Sequence, residues 1–517
     1  MMFPKVKSTT LLLFLLLFVF GACSQDKGKA KEKIPSPKKK EGISVGLISG
    51  LRGTLAPCGC TSKPLGGLSR LAQVLEERSE LDELLVLGNS FSDPHDTMKA
   101  SAKVKEQKDK LLLEFFQRLR SGVMVPGDTE RRPSAEIYQG LAQSKNLLML
   151  DGLRNDATLE AVSSTIRTYN DFKLGLIGVN DAADNLLSQL AHESVRLRAH
   201  GAGFIIVLDA GPYIDLASNV KELIGIDVLL RASTSDQASE KIVGQTLVLT
   251  IRPKGQHLGF LRIVPKSQGV WVYDDQGKTK KASLQKRISR LEKSVARLEE
   301  GEARNARQAK LEELQKELKG LKPSVPTSSY VQWNVRDIEH SIVEDKWVAE
   351  KLRAYNLSLC DLNAESFDAE YCVSDDDKSK YVGSAACKNC HPQAYEVYEK
   401  TKHAQAWATL EKAAKQCDFG CIGCHSVGFQ QPGGYCRLED AHTYKNVGCE
   451  NCHGPGAGHV KSPFIRSGWS KGFGRHGNDP EVCTGCHNQE HSDLFDYSTY
   501  LEKILGPGHG KEIGPSK

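Results

Sequence analysis

Apolar and polar positions along this chain follow two different periods, and a third pattern takes over near its C-terminus. Between Ile43 and about Asp275 short apolar runs recur at Ile43–Ile48, Leu84–Leu87, Val123–Val125, Leu147–Leu150, Leu174–Val179, Phe204–Leu208 and Ile226–Leu230. Short apolar runs bounded by polar turns predict buried strands. Helical periodicity fills several gaps, as in Leu68, Leu71, Val74 and Leu75. Two later strands, Val243–Ile251 and Leu258–Val264, follow without intervening helices. The alternation predicts a layered α/β or α+β domain over residues 43–275, with loops at the strand ends where ligands bind.

The period then changes. Leu284, Ile288, Leu291, Val295 and Leu298 repeat at helical spacing among Lys, Arg and Glu, and Leu311, Leu314, Leu318 and Leu321 resume in another register after Gly301. The register change predicts two helices folded back at Gly301, a hairpin spacer over residues 280–322 that Pro323 stops. Such a hairpin also leaves dimerisation open. Residues 323–380 read as a connecting segment, acidic near Asp375–Asp377, in which Cys360 and Cys372 are expected to form a disulfide.

At the other end, Lys5 and Lys7 precede an apolar run from Leu11 to Phe20, followed by Gly21-Ala22-Cys23. A basic start, a run too short to span a bilayer and small residues at the cut predict a secretory signal over residues 1–22. The cysteine after Gly-Ala resembles a bacterial lipobox, which implies lipidation of Cys23. Residues 24–42 carry seven lysines with Pro and Ser, a solvated tether beyond Cys23. The expected product is an exported lipoprotein, facing the periplasm or on the outer membrane.

Composition adds limits. In 517 residues, 39% hydrophobic and 26% charged positions exclude a polytopic membrane protein and a disordered chain. Lys plus Arg exceeds Asp plus Glu by only five, 69 against 64, too few to argue for nucleic acid. The unusual count is 15 cysteines, ten of them between Cys387 and His487.

Eight of those ten form four Cys-x-x-Cys-His motifs: Cys387, Cys390 and His391; Cys421, Cys424 and His425; Cys449, Cys452 and His453; Cys483, Cys486 and His487. Thiols three residues apart reach the two vinyl groups of a porphyrin, and the next side chain swings beneath the ring as an iron ligand. Zinc sites and disulfides do not require a histidine after every pair. The motifs predict four covalently bound c-type haems in a module over residues 381–517, with electron transfer as its default function. Few long apolar stretches occur there, so the macrocycles must supply much of the core. Cys417 and Cys436 flank the second motif and are expected to form a disulfide.

Tyr381-Val382-Gly383-Ser384, Thr401-Lys402-His403-Ala404, and Val447-Gly448-Cys449-Glu450-Asn451-Cys452-His453-Gly454-Pro455-Gly456 with His459 resemble the cytochrome c-554 family of tetrahaem cytochromes. The resemblance implies a mostly helical fold around stacked haem pairs, most irons bis-histidine and one able to stay five-coordinate. The module offers His403, His442, His459, His476, His491 and His509 as distal ligands. His403, His459 and His509 sit where the family places them. Redox proteins are the implied donors and acceptors.

Residues 43–265 resemble, in pattern, the calcineurin-like metallophosphoesterase domain of secreted 5'-nucleotidases. Pro64-Leu65-Gly66-Gly67-Leu68-Ser69-Arg70-Leu71 looks like that family's Gly-Gly segment and helix, and Val86-Leu87-Gly88 and Lys173–Gly178 like two of its strands. A two-metal hydrolase needs Asp, His and Asn side chains to hold its ions. Here the family's Asp-x-His-Gly falls on Gly50-Leu51-Arg52-Gly53, its Gly-Asp on Gly88-Asn89, its Gly-Asn-His-Glu on Gly127-Asp128-Thr129-Glu130, and its Gly-His-x-His on Arg231-Ala232-Ser233-Thr234. Only Asn89, Asp128 and Asp209 offer oxygens, so the expected domain is a degenerate, non-hydrolytic scaffold that docks or positions. In its first loop, Cys58-Gly59-Cys60 can ligate a metal, exchange electrons as a dithiol, or pair as a disulfide.

The whole reads as a multidomain electron carrier: an α/β layered sandwich, a helical spacer and a mostly α multihaem module. Two alternatives stay open. One is an oxidoreductase acting on a small nitrogen or sulfur compound at a five-coordinate haem. The other is a binding protein whose Cys58–Cys60 loop senses a ligand and reports through the haems.

Overall fold

The computed structural model describes residues 41–57, 64–92, 101–131, 135–150, 162–179, 186–210, 225–232, 238–266, 271–321, 326–364, 373–469, 479–488 and 491–511. Cys23, Cys58, Cys60, Cys372 and His476 lie outside them, as do Ser233 and Thr234 and the signal and tether residues 1–40.

Two sheets lie face to face. The first contains β1 (Ile43–Ile48), β2 (Glu83–Leu87), β3 (Gly122–Val125), β4 (Leu147–Met149), β11 (His257–Val264), β12 (Val272–Tyr273) and β13 (Tyr330–Asp337), in the order β12-β13-β11-β1-β2-β3-β4. The second contains β5 (Val162–Tyr169), β6 (Phe172–Val179), β7 (Phe204–Asp209), β8 (Val228–Ala232), β9 (Ser239–Val243) and β10 (Thr246–Ile251), in the order β5-β6-β7-β8-β10-β9. β1 to β4 run parallel, as do β6, β7, β8 and β10.

Why the central strands are continuously apolar follows from the layers. Alternate residues of β2 and β7 face opposite sides, and both sides are covered. Leu85, Leu87, Phe204, Ile206 and Leu208 enter the shared core between the sheets. Leu84 and Val86 meet α1 (Leu68–Glu77) and α2 (Ala102–Gln117) on one outer face, while Ile205 and Val207 meet the helix Leu186–Ala199 on the other. Glu83 ties the sheets at the edge of this core. Its buried carboxylate accepts from Arg167 Nε at 2.8 Å and Tyr169 Oη at 2.7 Å, both on β5, and from Ser121 Oγ at 2.6 Å.

The strand expected over Val243–Ile251 is β10, which starts three residues later; Val243 instead ends β9, and the two strands form a hairpin turning at Gly244 with φ of 63°. The expected Ile226–Leu230 strand begins two residues later. β5 and β13 are not legible as strands because neither presents an apolar run: β5 is mostly Ser, Thr and Arg, and β13 mixes polar and apolar residues. Residues 323–380 are more than a connection. After the helical hairpin the chain returns as β13, pairs with β11 over eight residues, and lays Trp333 over Gly259, where any Cβ would come within 2.1 Å of the indole. The helix Lys346–Ala364 then packs against the α1–α2 layer through Val348 and Tyr355.

The hairpin consists of helices Lys278–Val295 and Glu302–Gly320, whose buried seam is Leu284, Ile288, Leu311 and Leu314. Beyond residue 380 the chain is a series of short helices. Its own buried apolar cluster is small, formed by Trp407, Leu410, Phe419, Ile422 and Tyr435. Among the described residues no helix is long and apolar enough to cross a membrane.

Candidate functional site

Each of the four motifs folds as a helical turn. Phe419–His425 and Cys449–His453 are α-helices, and His391 N and His487 N donate to Cys387 O at 2.9 Å and Cys483 O at 2.8 Å. Helical spacing puts the first and fourth residues on one face, so both thiols of a motif point the same way. Local caps fix the turns. Asp418 accepts from Gly420 N at 3.0 Å, Asn451 Oδ1 from Gly448 N at 2.8 Å, and Asp479 from Glu481 N at 2.9 Å.

Three motif histidines each face a second histidine. His391 and His459 rings have centroids 6.2 Å apart at 28°, His487 and His403 6.2 Å at 46°, and His453 and His509 6.4 Å at 60°. Two imidazoles sharing one metal through nitrogens at about 2 Å would place their ring centres roughly 6 Å apart. The donor set therefore fits a bis-histidine iron at three motifs. Nδ1 of His509 bonds Ile504 O at 2.7 Å and Nδ1 of His487 bonds Ser492 Oγ at 3.1 Å, which leaves Nε2 as the metal-facing lone pair. Burial holds His403, His459 and His487 below the ordinary histidine range.

The second motif differs. His425 Nδ1 is held by Ala406 O at 2.7 Å, but among the described residues no histidine ring stands opposite it. His442, a candidate by sequence, has its Nδ1 on Glu439 O at 2.9 Å and faces no motif histidine. His491 is placed by its backbone N–H on Asn488 Oδ1 at 3.0 Å.

The motifs also have a spatial order. The first and third motifs neighbour each other at Cys387 and Cys449, the second and fourth at Cys424 and Cys486, and the third and fourth at Cys452 and Cys483. These neighbours follow in the order 1–3–4–2, and Asn451 of the third motif also donates Nδ2 to Ser426 O, beside the second, at 2.9 Å.

Glu450 is invisible to motif reasoning. Placed inside the third Cys-x-x-Cys-His and buried, it accepts from Val382 N at 3.0 Å, Gly383 N at 2.8 Å and Gly456 N at 2.7 Å. One carboxylate thereby ties the entry to the first motif, the third motif and the turn leading to His459. Desolvation raises its pKa, and the three N–H donors oppose that rise. An acidic residue between haem-type cysteines is its one signal in the sequence.

Two disulfide expectations are corrected. Cys360 bonds Cys417, 57 residues away in sequence, with Cα atoms 5.0 Å apart. Cys360 is therefore not paired with Cys372. Cys417 is not paired with Cys436, although Cys436 is itself disulfide-bonded. The reason is tertiary: the helix Lys346–Ala364 folds back against the loop before the second motif, which sequence proximity does not reveal.

At the strand ends of the α/β sandwich, the residues expected from sequence at metal-ligand positions make internal bonds. Glu130, fully buried, accepts from Asn89 N and Ser90 N at 2.6 Å and from Gly127 N at 2.9 Å. Asn89, at φ 65°, donates Nδ2 to Ala210 O at 3.0 Å. Asp209 is bonded by Arg231 Nε at 3.1 Å. At Gly50, where the family has its first aspartate, a Cβ would lie 2.5 Å from Gly88 O and Asn89 O. Asp128 begins the short helix Asp128–Arg131. Among the described residues, no group of three or more His, Cys, Asp and Glu could hold a metal ion.

Residues 386–454 match the family described as cytochrome c554 and c-prime. Cytochrome c-554 of Nitrosomonas europaea is 34% identical over 134 residues, covering 21% of this chain. The chain spans 57% of that relative's length. Among solved structures, the sulfate thiohydrolase SoxB of Thermus thermophilus has a TM-score of 0.40 at 12% identity, covering 69% of each chain. A 5'-nucleotidase precursor of the same organism has a TM-score of 0.39 at 12% identity, covering 83% of this chain and 94% of its own. The calcineurin-like phosphoesterase YfkN of Bacillus subtilis has a TM-score of 0.37 at 10% identity, covering 61% and 96%.

Proposed function

We propose that this chain is an exported tetrahaem c-type cytochrome that passes electrons between redox proteins. The observation that carries the reading is the set of three histidine pairs at 6.2–6.4 Å, each with one member from a Cys-x-x-Cys-His motif. Covalently bound haem supplies one-electron transfer when present. The protein's part is to fix it: Cys387 and Cys390, Cys421 and Cys424, Cys449 and Cys452, and Cys483 and Cys486 attach it. His391, His425, His453 and His487 ligate from one side, and His459, His509 and His403 cap the first, third and fourth motifs. The 1–3–4–2 order gives a line with two ends. The cytochrome c-554 relative supports a periplasmic setting, and Cys23 supplies a lipid anchor there.

The α/β sandwich is a non-hydrolytic support in this reading. The Arg231–Asp209 pair puts a guanidinium where cations would need an unpaired carboxylate, and Glu130 commits its oxygens to backbone N–H groups.

A second reading rests on His425: among the described residues no histidine opposes it, so an iron held there would have a face for a small nitrogen or sulfur compound. An electron paramagnetic resonance spectrum of the ferric protein tests both. The expected spectrum has low-spin signals from three-quarters of the iron and a high-spin signal from one-quarter. Wholly low-spin iron would remove the second reading, and high-spin iron beyond one site would break the histidine pairing.

A further inference from the structure

The end of the line at the second motif is bolted to the α/β sandwich. Cys417 lies just ahead of Cys421, and its disulfide to Cys360 joins it to the helix Lys346–Ala364. Asn363, one turn further along that helix and 1% exposed, donates Nδ2 to Cys417 O at 2.8 Å. The same helix is held to the sandwich, because Ser101 Oγ at the start of α2 donates to Leu362 O at 3.2 Å. Val104 of α2, Leu359 and Cys417 bury together, with Tyr355, Leu362 and Leu438 against them. Asp418, the next residue, caps the helix that carries Cys421, Cys424 and His425. The other motifs are braced from within their own module, the third by Ser384 Oγ on Cys449 N at 3.1 Å and the fourth by Asp479.

We propose that this strap is a positioning device for the second motif, and that holding His425 with its opposite face clear is what the α/β sandwich does for the cytochrome. The proposal rests on the reading of the second motif as five-coordinate. Cys360, Cys417 and Asn363 touch neither iron nor substrate; they act through the Asp418 cap. The cap sets the tilt of the Phe419–His425 helix and keeps His425 Nδ1 on Ala406 O. A buried disulfide and a buried amide on one residue hold its backbone from two directions, so the helix start cannot slide toward the open face. Partners bonded directly to a metal ligand change metal affinity or activity by roughly 10–100-fold when removed, which is an upper bound for a strap acting through Asp418.

The test uses the full-length haem-loaded protein. Two variants are compared with wild type: Cys360→Ala with Cys417→Ala together, and Asn363→Leu, which keeps the disulfide and serves if the first does not fold. The readouts are the high-spin share of the ferric electron paramagnetic resonance spectrum and the cyanide dissociation constant, with the low-spin signals as internal controls. The expected result is a cyanide affinity altered by up to roughly tenfold, with a shifted or diminished high-spin signal and unchanged low-spin signals. A wild-type high-spin signal and cyanide affinity that both variants retain would overturn the strap's role alone. A wild-type spectrum without high-spin iron would overturn the five-coordinate reading beneath it.

Discussion

Glu450 shows how much one side chain inside a motif can organise. Its carboxylate receives three backbone N–H groups from segments 68 residues before it and 6 residues after it. Glu450→Ala would leave those donors buried without an acceptor, at a cost of about 1–3 kcal/mol for an unsatisfied group. The expected outcome is a lower thermal midpoint with altered low-spin signals from the first and third motifs, read by thermal denaturation and paramagnetic resonance. His257 allows a different check. Its Nδ1 bonds Asp337 at 2.8 Å, and its Nε2 is buried with no hydrogen-bond partner. Burial depresses its pKa below 6.5; Asp337 opposes that shift and Arg252 assists it. The unfolded chain therefore takes up this proton first as pH falls, so the contribution of His257 to stability is full above about pH 6.5 and declines below it. His257→Gln should flatten the fall in denaturation midpoint between about pH 6.5 and 5 relative to wild type; parallel curves would refute the assignment.

At the scale of elements, legibility follows burial. Strands such as β2 and β7 are apolar on both faces and read directly as runs, while β5 and β13 carry too many polar residues to form a run and escape notice. The helical hairpin is readable because its seam Leu284, Ile288, Leu311 and Leu314 keeps helical spacing on both arms. The four attachment motifs are readable because covalent chemistry fixes their spacing. His403, His459 and His509, the proposed distal ligands, are picked out by their neighbours, but their opposition to motif histidines is not, since it is a tertiary property. The Cys360–Cys417 link is hidden for the same reason. The hairpin's arms are joined at their base by Lys280 and Glu317 at 3.0 Å. Shortening both arms by one heptad beyond that pair should leave haem content and spectra unchanged, measured by absorption of the purified protein. Loss of haem would mean that the spacer takes part in building the module.

On the scale of the whole molecule, the layers serve one arrangement. The α/β sandwich has a large apolar core of its own, whereas the module beyond residue 380 has only the small cluster around Trp407 and Tyr435. A module with so thin a core would gain stability from what it binds, so the proposed function predicts that folding and haem attachment are coupled. In that proposal the sandwich, joined through the helix Lys346–Ala364, is a footing for the second motif, and the first motif is left for a redox partner. The central claim is that all four motifs carry haem, and a pyridine haemochrome assay against protein concentration tests it most directly. The predicted count is four c-type haems per mature chain; a count below four would contradict it.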